Sequence, residues 1–240
     1  MMAARYIDFI SAYCDSWCER CAFTERCSHF AVKSALAMCD GDQEAAFELA
    51  IGPPRVPGGR PQKTFGERMA EALGDFEPSQ KELDAIGREM DERRQRVKGF
   101  KVAEASLDYA VASHRWLAEH DHDGKHADSA IREAIETIGW DSHLIHVKIM
   151  RALDGRDEYP RGEPFGKNAV QSDWNGSAKV ALLSIERSER AWRTIAAAIS
   201  DRPSAVLAET LAGLRLEMTR EFPKAMAFRR PGFDEAGRSK

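Results

Sequence analysis

Apolar residues recur every three or four positions along most of this chain, the spacing that lays a single greasy stripe along an α-helix. The pattern predicts a short helix near Phe65 to Leu73 and another that starts near Pro78, carries Leu83, Ile86 and Met90 on one side, and stops near Gly99. Four stronger amphipathic segments follow, at roughly Phe100 to Glu119, Ala127 to Leu153, Ser172 to Ile199 and Ser204 to Phe222. Ile131, Ile135, Ile138, Ile145 and Ile149 make a continuous stripe in the second of these. Ala178, Ala181, Leu182, Ile185, Trp192, Ala196 and Ile199 make a matching stripe in the third. Ser200 and Asp201, just before Pro203, mark a stop and a fresh start. No alternating β pattern of useful length and no internal repeat is present. The expected fold class is all-α: a helical bundle of about four core helices plus accessory helices, with an N-terminal cysteine-bearing helical unit.

Proline and glycine divide the chain. "GPPRVPGGRP", from Gly52 to Pro61, cannot sustain a regular element. The expected organisation is a cysteine unit over 1–51, a linker over 52–62, a bundle over 63–228 and a tail over 229–240. The first 51 residues read as two helices joined around "FTERC", the second from about Ser28 to Leu49 with a break at Asp40 to Asp42. "GRDEYPRGEPFGKNAVQ" is a long irregular loop of the kind that often covers a site. The charge run "DERRQRVKG" reads as a solvated helix face.

Composition narrows the function classes. At 240 residues the chain is long enough to bury a sizeable core, so its stability does not require cysteine staples. A formal charge of −4 with acids and bases nearly balanced argues against a dedicated nucleic-acid binder. No apolar run reaches membrane-spanning length, and the N-terminus lacks the features of a signal peptide. The expected location is therefore the cytoplasm, where thiols stay reduced, and an odd count of five cysteines fits a disulfide framework poorly.

Four of those cysteines stand within "YCDSWCERCAFTERC" at the spacing Cys14-x3-Cys18-x2-Cys21-x5-Cys27. Steps of four and three would place Ile7, Ile10, Cys14, Cys18 and Cys21 on one helix face, so ordinary burial is one reading. Cys27 extends the group into a turn, where a small hydrophobe gains little and a chelate gains much. Clustered reduced thiols are also an oxidation liability unless something binds them. Zinc draws four sulfurs onto one atom, usually from two tight knuckles, and only one C-x2-C is present here. An iron–sulfur cluster accepts several cysteines from one short segment, so a 4Fe–4S cluster is the expected cofactor, with zinc the alternative. Cys39 and His29 are spare ligand candidates. The triplet C-x3-C-x2-C resembles the cluster-binding motif of radical S-adenosylmethionine enzymes, a resemblance that implies a cluster with one iron open to the cofactor. The chain departs from that family at Arg20, where an aromatic usually precedes the last cysteine, and in lacking its β/α alternation.

A second set of candidates comes from polar residues on the apolar stripes, since an ionisable group facing a bundle interior must be paired, ligated or functional. Glu189 lies between Ile185 and Trp192; His114 lies on the run Phe100, Ala103, Leu107, Ala110, His114, Leu117; His146 sits beside Ile145 and Ile149, with Glu136 and His143 one face further round. These three are the candidate catalytic or metal-binding pocket, and the plainer reading is a buried Glu189–His114 hydrogen bond. Glu119 and His122, in "EHDHDGKH", give a Glu-x-x-His spacing once only and read as part of a polar turn. Asp173, Asn175, Ser177 and Lys179 open a helix, where they serve either an anion or the helix cap. Trp116 and Trp140 lie off the main stripes and suggest a second buried face or a self-association surface. Two functions remain open: an enzyme or redox component with a polar pocket, or a metal-stabilised binding or regulatory module that recognises a partner.

Overall fold

The structure, a computed structural model, describes residues 6–52, 63, 65–74, 78–120, 128–159, 169–200 and 202–234. It is all-α, with no strand among the described residues. Three single 3₁₀ turns, Ile10–Tyr13, Cys18–Arg20 and Thr24–Arg26, lead into α1 (Ser28–Met38), α2 (Gln43–Ala50), α3 (Phe65–Leu73) and α4 (Gln80–Lys98). Then come α5 (Lys101–His120), α6 (Ser129–Glu158), α7 (Asp173–Ile199) and α8 (Arg202–Glu221). No helix among the described residues is long and apolar enough to cross a membrane. The chain divides into two compact units, Met1–Ile86 with Pro231–Lys240, and Gly87–Arg230, the boundary falling inside α4. Most of the expected linker, residues 53–62, lies outside the described residues, as do His122 and His126.

In the larger unit α6 and α7 form the central pair, with α5 and α8 against them. Asp128 caps α6 by accepting the Ala130 amide at 2.8 Å, and Ser172 caps α7 by accepting the Asn175 amide at 3.4 Å. α7 stops at Ser200, whose φ of 53° leaves the helical region. Ile138, Ile145 and Ile149 meet Ala181, Ile185 and Trp192, and Leu211 and Met218 of α8 complete the core; all are fully buried.

Two expectations shift here. α6 runs five residues beyond Leu153, to Glu158, because charge holds its end: Arg93 pairs with Asp154 at 3.0 Å and Glu158 at 3.1 Å, and Arg96 with Asp157 at 2.9 Å. The charge run of α4 is therefore in part an ion-pair seam with α6, each exposed pair contributing up to about 1 kcal/mol. The second shift is on α5, whose buried face is Val102, Ala103, Ser106, Tyr109, Ala110, Ser113 and Trp116, while Leu107, Val111 and His114 are exposed. Burying two aromatics removes more area from water than burying Leu107, and the small serines beside them let the helices approach. The Trp192 indole donates to the Tyr109 hydroxyl at 3.0 Å, and Trp116 meets Trp192 edge-on with centroids 5.0 Å apart.

Burial pushes the Tyr109 phenol up to about 12; the Trp192 hydrogen bond opposes the shift and the charge of Asp141 adds to it. The folded value exceeds the ordinary one near 10, so the stability held by the protonated phenol is complete below pH ~10 and is lost as pH rises towards 12. Urea midpoints across that window should fall by the equivalent of about 2–3 kcal/mol, and Tyr109→Phe should flatten this alkaline limb. Equal alkaline losses in parent and variant would refute the assignment.

The N-terminal unit is built differently. Among its described residues only Ile10, Ala35, Ala46 and Ala50 are buried apolar side chains. Alanines let α1 and α2 pack closely but remove little area from water, so this unit carries a thin core of its own. Tyr6 donates to the Ala50 carbonyl at 2.6 Å, and the Ile7 amide to the Arg26 carbonyl at 2.9 Å. The chain's last described residues return to this unit: Phe233 stacks edge-on with Phe23, and Gly232 (φ 77°) comes so close that a Cβ there would lie 3.0 Å from Ile10.

Candidate metal centre

The cysteine segment is not the α-helix that its four-and-three spacing predicts. Cys14 leaves the first 3₁₀ turn in extended conformation, Cys18 opens the second turn and Cys21 closes it, and Cys27 is the N-cap of α1. α2 is separate from α1, with the break at Asp40 and Gly41 as the sequence suggests. Phe9 and Ser16, on either side of Cys14, both hold φ of 59°, a left-handed conformation that costs non-glycine residues about 1–3 kcal/mol each. Such strain persists only where the surroundings impose it.

The folded path nevertheless brings the cysteines to one place. Cys14, Cys18, Cys21, Cys27 and His29 line a single small cavity of about 20 Å³. All five cysteines are free thiols and half-buried. Backbone amides point at three of the four cavity sulfurs: Ser16 donates to Cys14 Sγ at 3.3 Å, Phe23 to Cys21 Sγ at 3.4 Å and Phe30 to Cys27 Sγ at 3.5 Å. A thiol sulfur is a weak acceptor and a thiolate a stronger one, so amides aimed this way suit sulfurs that carry charge. Burial pushes the Cys18 thiol up; Lys33 pulls it back, and the charges that Cys14, Glu19 and Cys27 carry when ionised push it further. Cys18 is thus within electrostatic reach of two other cluster cysteines.

The sulfurs do not converge on one point. No group of three or more His, Cys, Asp or Glu among the described residues is placed to hold a single metal ion. Zinc at 2.3 Å from each of four sulfurs would need them about 3.8 Å apart in a tetrahedron. Of the spare ligand candidates, His29 lines the cavity, whereas Cys39 packs beside Ala35 and Ala46 between α1 and α2.

Comparison with protein-family models, with curated proteins and with solved structures finds no match.

The second candidate set is not brought together. His114 is exposed on α5, and Glu189, although buried, is ion-paired with Arg193 one turn on and with Arg215 of α8 at 3.4 Å. The expected Glu189–His114 hydrogen bond does not form, because the face of α5 that meets the core is the one bearing Ser113. His146 bonds through Nδ1 to Ser106 Oγ at 2.9 Å. Burial, and secondarily His143, holds its ring below the ordinary histidine value. The opening of α7 is also committed: Asp173 takes Arg151 at 2.6 and 3.1 Å, the Asn175 amide donates to the Ala169 carbonyl, and Lys179 Nζ to the Phe228 carbonyl at 2.7 Å. Ser172, not Asp173, is the cap.

The most buried charge among the described residues lies outside both candidate sets. Asp141 is fully buried and accepts both nitrogens of a forked bond from Arg187 at 2.5 and 2.8 Å, with Ser188 Oγ at 3.2 Å. Its signal was available: Asp141 stands three residues after Ile138 and four before Ile145, on the isoleucine stripe itself.

Proposed function

We propose that this protein binds an iron–sulfur cluster in its N-terminal unit through Cys14, Cys18, Cys21 and Cys27, as a redox or structural centre attached to a helical bundle. The observation that carries the reading is the cavity: three irregular turns and a helix cap, with no common helix face, deliver four free thiols and three amide donors to one hollow. The thin alanine core of the unit supports it, since a bound centre would supply the stability that burial does not. Half-buried ligands suit electron exchange with a partner at the surface. Such a cluster supplies one-electron chemistry when bound; amide bonds to its cysteine sulfurs help set its potential.

Anaerobically purified protein should be brown and contain iron and acid-labile sulfide. Cys21→Ser should lose the metal and lower the melting temperature of the N-terminal unit, while Cys39→Ser should retain both. Colourless protein with one zinc per chain would replace the cluster with a zinc module. Metal-free protein from anaerobic, chelator-free preparation would remove the reading.

A further inference from the structure

A cavity of about 430 Å³ lies between the C-terminal half of α5 and the first turns of α8, within the bundle unit and apart from the cysteine site. That volume is in the range of small-molecule sites. Its floor is apolar, made by Trp116 with Pro203, Val206 and Leu207, and Val206 is 49% exposed. Its rim is charged. Arg115 of α5 and Arg202 of α8 reach it from opposite walls, and neither has an ion-pair or hydrogen-bond partner among the described residues, in a protein where Arg93, Arg96, Arg151, Arg156 and Arg187 are all paired. Among the described lining residues Glu119 is the one acidic group, beside the two arginines.

His120 completes the wall in a fixed orientation. Its ring stacks on Trp116 at 4.2 Å, within 3° of parallel, and its Nδ1 lies 2.9 Å from the Trp116 carbonyl. A carbonyl only accepts, so Nδ1 is the donor in this contact. The cavity therefore presents an apolar floor, two guanidinium forks, the His120 ring and the Glu119 carboxylate.

We propose that this cavity binds a small organic anion built on a flat ring, its carboxylate or phosphate held by Arg115 and Arg202 and its ring laid against Val206, Pro203 and Trp116. Guanidinium pairs bind either oxyanion by the same forked geometry, and the apolar floor rewards a ring that a bare anion lacks.

The test titrates the full-length protein with 2-naphthoate and, separately, adenosine 5′-monophosphate, following the Trp116 indole N–H resonance by two-dimensional NMR, assigned with Trp116→Phe. Acetate supplies the anion without a ring, and 2-naphthylmethanol the ring without an anion. One or both ringed anions should shift the resonance saturably while the two controls do not; which one does distinguishes carboxylate from phosphate. The double variant Arg115→Gln, Arg202→Gln should weaken binding by at least about tenfold with unchanged circular dichroism, since both sites are exposed. No shift with either ringed anion, equal binding of 2-naphthylmethanol, or an unweakened double variant would each overturn the proposal.

Discussion

Arg187→Met should destabilise the bundle by about 3 kcal/mol in urea titration, because it takes the guanidinium from the fully buried carboxylate of Asp141. The figure sits at the low end for buried pairs because the Arg187 side chain is itself 33% exposed, so part of its charge is already solvated. The informative variant is the second one. Asp141→Asn placed on Arg187→Met removes the stranded charge yet keeps an acceptor for Ser188, and should recover most of the loss. If the double variant is as weak as the single, the cost comes from packing of the arginine stem and not from the buried charge.

Trp192→Ala should cost about 3–5 kcal/mol by the same measurement, enough to unfold a marginal domain at moderate temperature. Trp192 is completely buried, its indole donates to Tyr109, and its ring edge closes on Trp116, so truncation opens a cavity and removes a donor from the Tyr109 hydroxyl together. Trp140→Ala is the control, since that ring is 36% exposed on the far side of α6, and it should cost less than half as much. Equal losses at the two positions would mean that the aromatic cluster is not the centre of the core.

These two sites differ in how far they could be read ahead of the structure. Trp192 lies on a regular three-and-four stripe, and helical periodicity places any residue of such a stripe towards the core. Asp141 lies on a stripe as well, but its role depends on Arg187, which reaches it from another helix. α5 is the instructive failure: Phe100, Leu107 and His114 form as good a run as Val102, Tyr109 and Trp116, and periodicity cannot rank two overlapping faces of one helix. The choice follows from what Trp192 of α7 presents, an indole donor for Tyr109 and an edge contact for Trp116. The pocket expected around His114, His146 and Glu189 is not assembled with that face of α5 outward, and a groove lined by Arg115 and Arg202 opens elsewhere in the bundle.

At the cysteine unit the relation is reversed. Spacing suggested one helix face, and the chain instead folds into tight turns with left-handed residues at Phe9 and Ser16, yet the same four cysteines share one cavity. Short-range order along the chain settled the all-α class, the positions of the main helices, the break after α1 and the grouping of the thiols, because each depends on neighbours a few residues apart. Which face of α5 turns inward, which arginine answers Asp141, how far α6 continues and where the open cavity lies were decided only by packing, because each depends on residues forty or more positions away whose approach no local pattern encodes.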